Sequence, residues 1–324
     1  MSQMLNLGPQ TILTAAQQLR GLVEQTPLER SAPLSIHTGA EVFLKHEFSQ
    51  TTGSFKLRGA TNALRSYSAE QSEPLRIVTC SAGNHGLGIA HAASMLQIDT
   101  TIVLPENASP AKVEALKRYP VHVIQHGPSY DEAELEALRM AREDGRRFVS
   151  PYNDPAVIAG QGTLALEVLE QLPSADLILV PVGGGGLLAG VLLWAKAVNP
   201  AIRIVGVQPQ GAAVMAHSLK AGSVIAVNEL PTLADGLAGS LEPDTITLPI
   251  ASRLLDDMLL VTEAEISAAM RYLIHEHHLI VEGSGAVGVA ALLGGKVQSI
   301  AKQRVVALLT GRNVATTTLQ KILS

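Results

Sequence analysis

Residues 177–195, LILVPVGGGGLLAGVLLWA, carry no charge and hold four consecutive glycines, Gly183 to Gly186. So apolar a run approaches the length of a bilayer-spanning helix. Pro181 and the glycines fall in its middle, however, and each is costly inside a helix. A strand over 177–182, a glycine loop and a helix opening at Leu187 suit the run better. Short Val-, Ile- and Leu-rich runs recur at 77–80, 101–104, 121–125, 203–207 and 305–309. From residue 75 onward they alternate with helical patterns, which predicts βαβ units and a parallel sheet. They lack polar alternation, as expected of strands covered by helices on both faces. Two helix starts are recognisable: Ser109 ahead of Pro110, and Thr262 with Glu265 three residues on, an N-cap with a first-turn proline and a capping box.

With 324 residues, 47% of them apolar and 16% charged, the chain can bury a core, which excludes disorder. The length suggests two domains or one large domain with a lobe. Spacing places a small lobe at 66–151, inserted into a larger body of 1–65 plus 152–324. The net charge is −5 with no run of Lys and Arg, which argues against nucleic acid as a partner. The single cysteine, Cys80, excludes an intramolecular disulfide framework and a Cys-rich zinc site. The N-terminus, MSQMLNLGPQTILTAAQQLR, lacks a basic segment followed by a long apolar core, so no signal peptide is expected. The chain reads as cytoplasmic, without a membrane partner.

Three loops could carry chemistry. Gly183 to Gly186 stand between a strand and a helix, where backbone amides and the helix dipole favour an anion. A tight turn is the plainer reading, but four glycines exceed what a turn needs. The pattern is neither GxxxxGK[ST] nor a well-placed GxGxxG, so a single cofactor phosphate suits it better than a nucleotide. Ser81, Ala82, Gly83, Asn84, His85 and Gly86 follow another strand. They could present amides, a hydroxyl and a carboxamide to a carboxylate or ring oxygen, or form an ordinary βα turn. Lys56, between Phe55 and Leu57, is by spacing either a solvated surface group or a desolvated nucleophile. His275 to His278 miss the HExxH spacing, because Leu279 stands four after His275. They read as a polar helix end. Thr310, Gly311, Arg312 and Asn313 follow a strand, where ligands of α/β sheets bind.

GSFKLRGA, SAGNHG and VGGGGL, in this order and spacing, resemble the fold-type II pyridoxal-phosphate enzymes, and within them the serine/threonine dehydratase and serine racemase group. The resemblance runs from TPLERSAPLS at 26–35 to LLTGRNV at 308–314. It implies an α/β fold of two lobes, similar to the tryptophan synthase β chain, with mostly parallel sheets covered by helices. The 66–151 lobe would be mobile against the cofactor-binding body. Lys56 would be the catalytic lysine that carries pyridoxal 5'-phosphate as a Schiff base, with Phe55 beside the ring. Asn84 would bond the 3'-oxygen, Gly183, Gly184, Gly185, Gly186 and Leu187 the phosphate, and Thr310 the pyridine nitrogen. Gly236 would lie near the cofactor, and Ser81, Ala82, Gly83, Asn84 and His85 would hold the substrate carboxylate. Cys80 would serve packing alone.

The expected reaction is β-elimination and deamination of a 3-hydroxy amino acid of the threonine or serine type, an ammonia-lyase giving a 2-oxo acid and ammonia. Lys56 would remove the Cα proton while the cofactor ring accepts charge. Racemases of the group place a serine where this chain has Ala82, which argues against racemisation. Gly283 after Glu282, and Arg312 after Gly311, resemble the branch assigned to hydroxyectoine utilisation. A hydroxyectoine-derived, 3-hydroxyaspartate or phenylserine-type substrate is therefore the alternative, with Arg312 placed to meet a distal carboxylate or to pair at the surface. Many of these enzymes hold a divalent cation after the GVxP strand through acidic side chains. Here Gln208, Ala212 and Val214 stand at those places, so no metal site is expected. The family usually forms dimers or tetramers, and a homodimer or homotetramer is expected here.

Overall fold

The computed structural model describes residues 7–70 and 73–324. Residues 1–6 of the N-terminal stretch read for a leader, and 71–72 of the expected small lobe, lie outside the described residues. Ten strands form two sheets among the described residues. They are β1 Leu28–Arg30, β2 Glu41–Lys45, β3 Arg76–Cys80, β4 Asp99–Leu104, β5 His122–Gln125, β6 Arg147–Phe148, β7 Leu177–Pro181, β8 Arg203–Pro209, β9 Asp257–Val261 and β10 Arg304–Leu308. One sheet has the order β1-β2-β10-β7-β8-β9 and is parallel except for β1 against β2. The other, β5-β4-β3-β6, is parallel throughout.

Alternate residues of the central strands enter different cores. Ile178, Val180, Val306 and Leu308 join the helices Pro155–Gln171 and Gly186–Val198. Leu177, Leu179, Val305 and Ala307 face the helices Glu263–His277 and Gly283–Leu293. Both faces are therefore apolar, which is why these strands read as continuous hydrophobic runs. The expected strands at 77–80, 101–104, 121–125, 177–182, 203–207 and 305–309 coincide with β3, β4, β5, β7, β8 and β10 to within two residues. Ser109 accepts a bond from the Lys112 amide at the head of the helix Pro110–Lys117, and Thr262 with Glu265 closes the capping box. The four histidine-region residues end the helix Glu263–His277, with His278 in a left-handed cap. No helix among the described residues is long and apolar enough to cross a membrane.

The strands β1, β2, β6 and β9 carried no clear signal. β2 begins and ends on charge, Glu41 and Lys45, and β9 is an edge strand of mostly half-buried residues. The helix Lys56–Glu70 packs against both Asn84–Leu96 and Pro155–Gln171. It thereby joins the layers of one sheet to those of the other.

Candidate active site

The three loops singled out in the sequence open from the C-terminal ends of β3, β7 and β10, with the segment after β2 beside them. Phe55 donates its amide to Thr310 O at 3.0 Å, and Ser54 bridges Gly311. This pairing sets the start of the helix whose first residue is Lys56. The helix Asn84–Leu96 approaches that first turn through Gly88, where an added Cβ would lie 3.2 Å from Lys56 O and from Ala60 Cβ. Close backbone contact thus places the lysine turn against the asparagine loop.

Lys56 Nζ donates to Pro151 O at 2.8 Å, and it stands 5.4 Å from the centre of the Phe55 ring. Desolvation lowers its pKa from 10.5 to about 8, so a neutral, nucleophilic amine is accessible near physiological pH. The surface alternative for this lysine is therefore set aside. His85 is buried, and burial followed by the nearby Lys56 lowers its pKa to about 3. Its ring stays neutral, with Nε2 3.3 Å from Val149 O.

Gly183 and Gly184 are half-buried, and Gly185 and Gly186 are covered. Gly185, at φ 88°, caps the helix Gly186–Val198 in the left-handed region, which favours glycine. At Gly184 a Cβ would sit 2.4 Å from the Tyr152 ring. Amides in the first turn of a helix have no carbonyl partner within it and can meet an anion. Leu187 turns its side chain into the core, leaving its amide for that purpose. Gly236 stands near this loop, since its neighbour Leu237 would meet a Cβ on Gly183 at 3.1 Å, and its amide donates to Ser284 Oγ at 3.0 Å.

Asn84 opens the helix Asn84–Leu96, and both ends of its carboxamide are engaged. Nδ2 donates to Glu282 Oε1 at 2.7 Å, and Oδ1 accepts from Asn313 Nδ2 at 2.6 Å. One N–H of Asn84 remains for a ligand oxygen. Ser81 Oγ accepts the Gly83 amide at 3.2 Å, and Ala82 packs on the Ile102 and Leu104 cluster. Cys80 is buried beside Val78 and Val103, and burial pushes its thiol up to about 12. It is a packing group.

Sequence reasoning missed Glu282, Tyr152 and the carbonyl of Pro151. Burial raises the Glu282 carboxyl to about 7, with Asp235 adding to the rise and the Asn84 bond opposing it. The available signals were slight: an acid in the otherwise apolar VEGSGA, and one of five tyrosines. Arg312 lines a cleft of about 210 Å³ with Arg118, Tyr119 and Asn313, the last of which also holds Asn84. After β8, the Gln208 carboxamide accepts the Ala216 amide at 2.8 Å and points Nε2 toward Ala212 O at 3.5 Å.

A loop of glycines at a helix head, a desolvated lysine and an oriented asparagine fit a cofactor with a phosphate, an aldehyde and a ring hydroxyl. The family described as pyridoxal-phosphate dependent enzyme matches residues 19–311. A catabolic L-threonine dehydratase from Escherichia coli is 40% identical over 304 residues, covering 94% of this chain and 92% of that protein. An L-threonine ammonia-lyase from Thermotoga maritima is 39% identical, over 97% of this chain and 77% of that one. Among solved structures, a serine racemase from maize superposes with a TM-score of 0.91 at 37% identity, covering 98% of this chain and 97% of that one.

Proposed function

Because the chain belongs to the family of pyridoxal-phosphate dependent enzymes, we propose that it eliminates water from a 3-hydroxy amino acid of the threonine or serine type and releases a 2-oxo acid and ammonia. The observation that carries this reading is the desolvated Lys56 amine, held on the carbonyl of Pro151 next to Tyr152, which packs on the glycine loop, with the lysine turn against the helix that opens at Asn84. When bound, pyridoxal phosphate supplies an electron sink for the charge left at Cα.

The protein's own residues do the rest. The amides of Gly183, Gly184, Gly185, Gly186 and Leu187 would hold the phosphate, with Gly236 on the adjoining wall. Asn84 would bond the ring hydroxyl, and Phe55 would shield one side of the ring from water. Thr310, a neutral hydroxyl residue, would face the ring nitrogen without forcing it to stay protonated. The Ser81–His85 loop would hold the substrate carboxylate through amides and the Ser81 hydroxyl, since the His85 ring carries no charge. Lys56 Nζ would take the Cα proton. Ala82 leaves no hydroxyl to deliver a proton to the opposite side of Cα, which favours dehydration over racemisation.

No divalent cation enters the scheme, because Gln208 is neutral and already bonded, while Ala212 and Val214 carry no donor side chain. We read the enzyme as cytoplasmic, as a homodimer or homotetramer, and as having a small lobe, 66–151, that closes on the body 1–65 plus 152–324.

The test is spectroscopic and catalytic. The purified protein should show a visible absorption band that borohydride abolishes and that Lys56→Ala lacks, with 2-oxo acid release falling on the order of 10²–10⁴-fold. Threonine and serine should release 2-oxo acid faster than 3-hydroxyaspartate or phenylserine. A colourless protein, or a variant with an unchanged band, would sink the assignment.

A further inference from the structure

The loop 240–247 holds the wall of the site and the glycine cradle at the same time. Glu242 places one carboxylate oxygen on Ser150 Oγ at 2.8 Å and the other on Asn153 Nδ2 at 2.6 Å. Its own amide donates to Tyr152 Oη at 2.6 Å. Asn153 Oδ1 in turn accepts the Ile246 amide at 2.9 Å, and Thr247 Oγ1 donates to Gly184 O at 2.7 Å. Between the two residues gripped by the carboxylate lie Pro151, whose carbonyl accepts from the Lys56 amine, and Tyr152, whose ring covers Gly184 and whose backbone packs on Gly186.

We propose that Glu242 is a positioning residue, whose two-point grip on Ser150 and Asn153 fixes the Pro151 carbonyl and so sets where the Lys56 amine stands. The proposal rests on the pyridoxal-phosphate reading and adds to it a residue whose bonds run to Ser150, Tyr152 and Asn153. Ser150, Pro151, Tyr152 and Asn153 form the return crossing from β6 to the helix Pro155–Gln171. A crossing without regular backbone bonds keeps its shape only if side chains supply them. Both carboxylate oxygens are used, and bonds to an ionised acceptor are the stronger kind. Loss of the grip frees the carbonyl that Lys56 meets, while the carboxylate-binding loop after β3 is untouched. The effect should therefore fall on turnover rather than on substrate binding.

The experiment uses the holoenzyme. Glu242→Ala should lower kcat about tenfold, the loss expected for one charge-assisted bond, and leave KM within about twofold. It should also shift the pH midpoint of the borohydride-sensitive band by roughly half a unit or more. Glu242→Gln can still accept from Asn153 Nδ2 and donate to Ser150 Oγ, so it should recover most of the turnover. Ser150→Ala removes one arm and should fall between Glu242→Ala and wild type, and it decides the matter if Glu242→Ala does not fold. A Glu242→Ala enzyme that loses thermal stability but keeps wild-type kcat and band midpoint overturns the proposal. Equal impairment of the Ala and Gln variants overturns it as well. A wild-type protein without the band overturns the family-based reading instead, so the two failures are distinguishable.

Discussion

At Lys56 and Glu282, a polar group is kept in a place where its charged form is disfavoured. Lys56 sits at a helix start against Phe55 and the helix of the asparagine loop, half-buried, with desolvation disfavouring its charged form. Glu282 heads the helix Gly283–Leu293 and touches Asn84, with Gly311 so close that a Cβ there would strike its carboxyl. Its folded pKa of about 7 lies above the ordinary 4.5. A raised carboxyl pKa stabilises the fold through the protonated form, fully below about pH 4.5, and that contribution disappears as pH rises through 7. Wild type should therefore lose stability relative to Glu282→Gln between pH 5 and 8, within a full span on the order of 3 kcal/mol. Thermal unfolding of both proteins across that range checks it, and a difference that does not vary with pH would count against Glu282 as the titrating group. Lys56 acts in a separate window. Its folded pKa is depressed to about 8 from 10.5, so its contribution is present above 10.5 and lost as pH falls through 8. Asp235 and Lys112 also face Glu282, and both belong in the interpretation of any salt dependence.

At the scale of elements, the glycine loop is the part that tolerates least change. Tyr152 fills the space over Gly184 so closely that Gly184→Ala must displace either the ring or the loop. Overpacking of this kind costs about 1–3 kcal/mol. Cofactor retention in Gly184→Ala should weaken by roughly tenfold or more, measured as release of the chromophore on dilution. Unchanged retention would mean that the loop does not hold the phosphate. This loop was readable because its glycines interrupt an uncharged run between a strand and a helix, a local signal. Ser81 to Asn84 were readable for the same reason. Tyr152 and Glu242 were not, because neither lies in a motif and each becomes significant only through a neighbour some 30 to 100 residues away. The strands β2 and β9 escaped notice because edge position and terminal charge erase the hydrophobic run that marks a buried strand.

Across the whole molecule, the lysine helix is anchored by charges buried behind it. Arg58, two residues beyond Lys56, grips Glu47 with Nε and Nη2, both at 2.8 Å, and reaches Glu167 with Nη1 at 2.7 Å. Lys45 on β2 bonds the other oxygen of Glu167 at 2.9 Å. One buried network thus ties a strand of the larger sheet, the helix Lys56–Glu70 and the helix Pro155–Gln171. Arg58→Met leaves Glu47 and Glu167 without their main cation, and such a change costs on the order of 3–5 kcal/mol. Denaturant unfolding should show that loss, together with a lowered cofactor content, and a loss under about 1 kcal/mol would mean the network contributes little. By itself the sequence determined the family, the α/β class with its buried parallel strands, and the residues of three loops, because each is written in hydrophobic period, glycine placement and local motif. Only the tertiary structure decided that Pro151, Tyr152, Glu242 and Glu282 border the same site, and that Arg312 lines a cleft beside Asn313, the partner of Asn84. Those assignments depend on contacts between segments far apart in the chain, and no local pattern of residues encodes which distant side chain will complete a hydrogen bond.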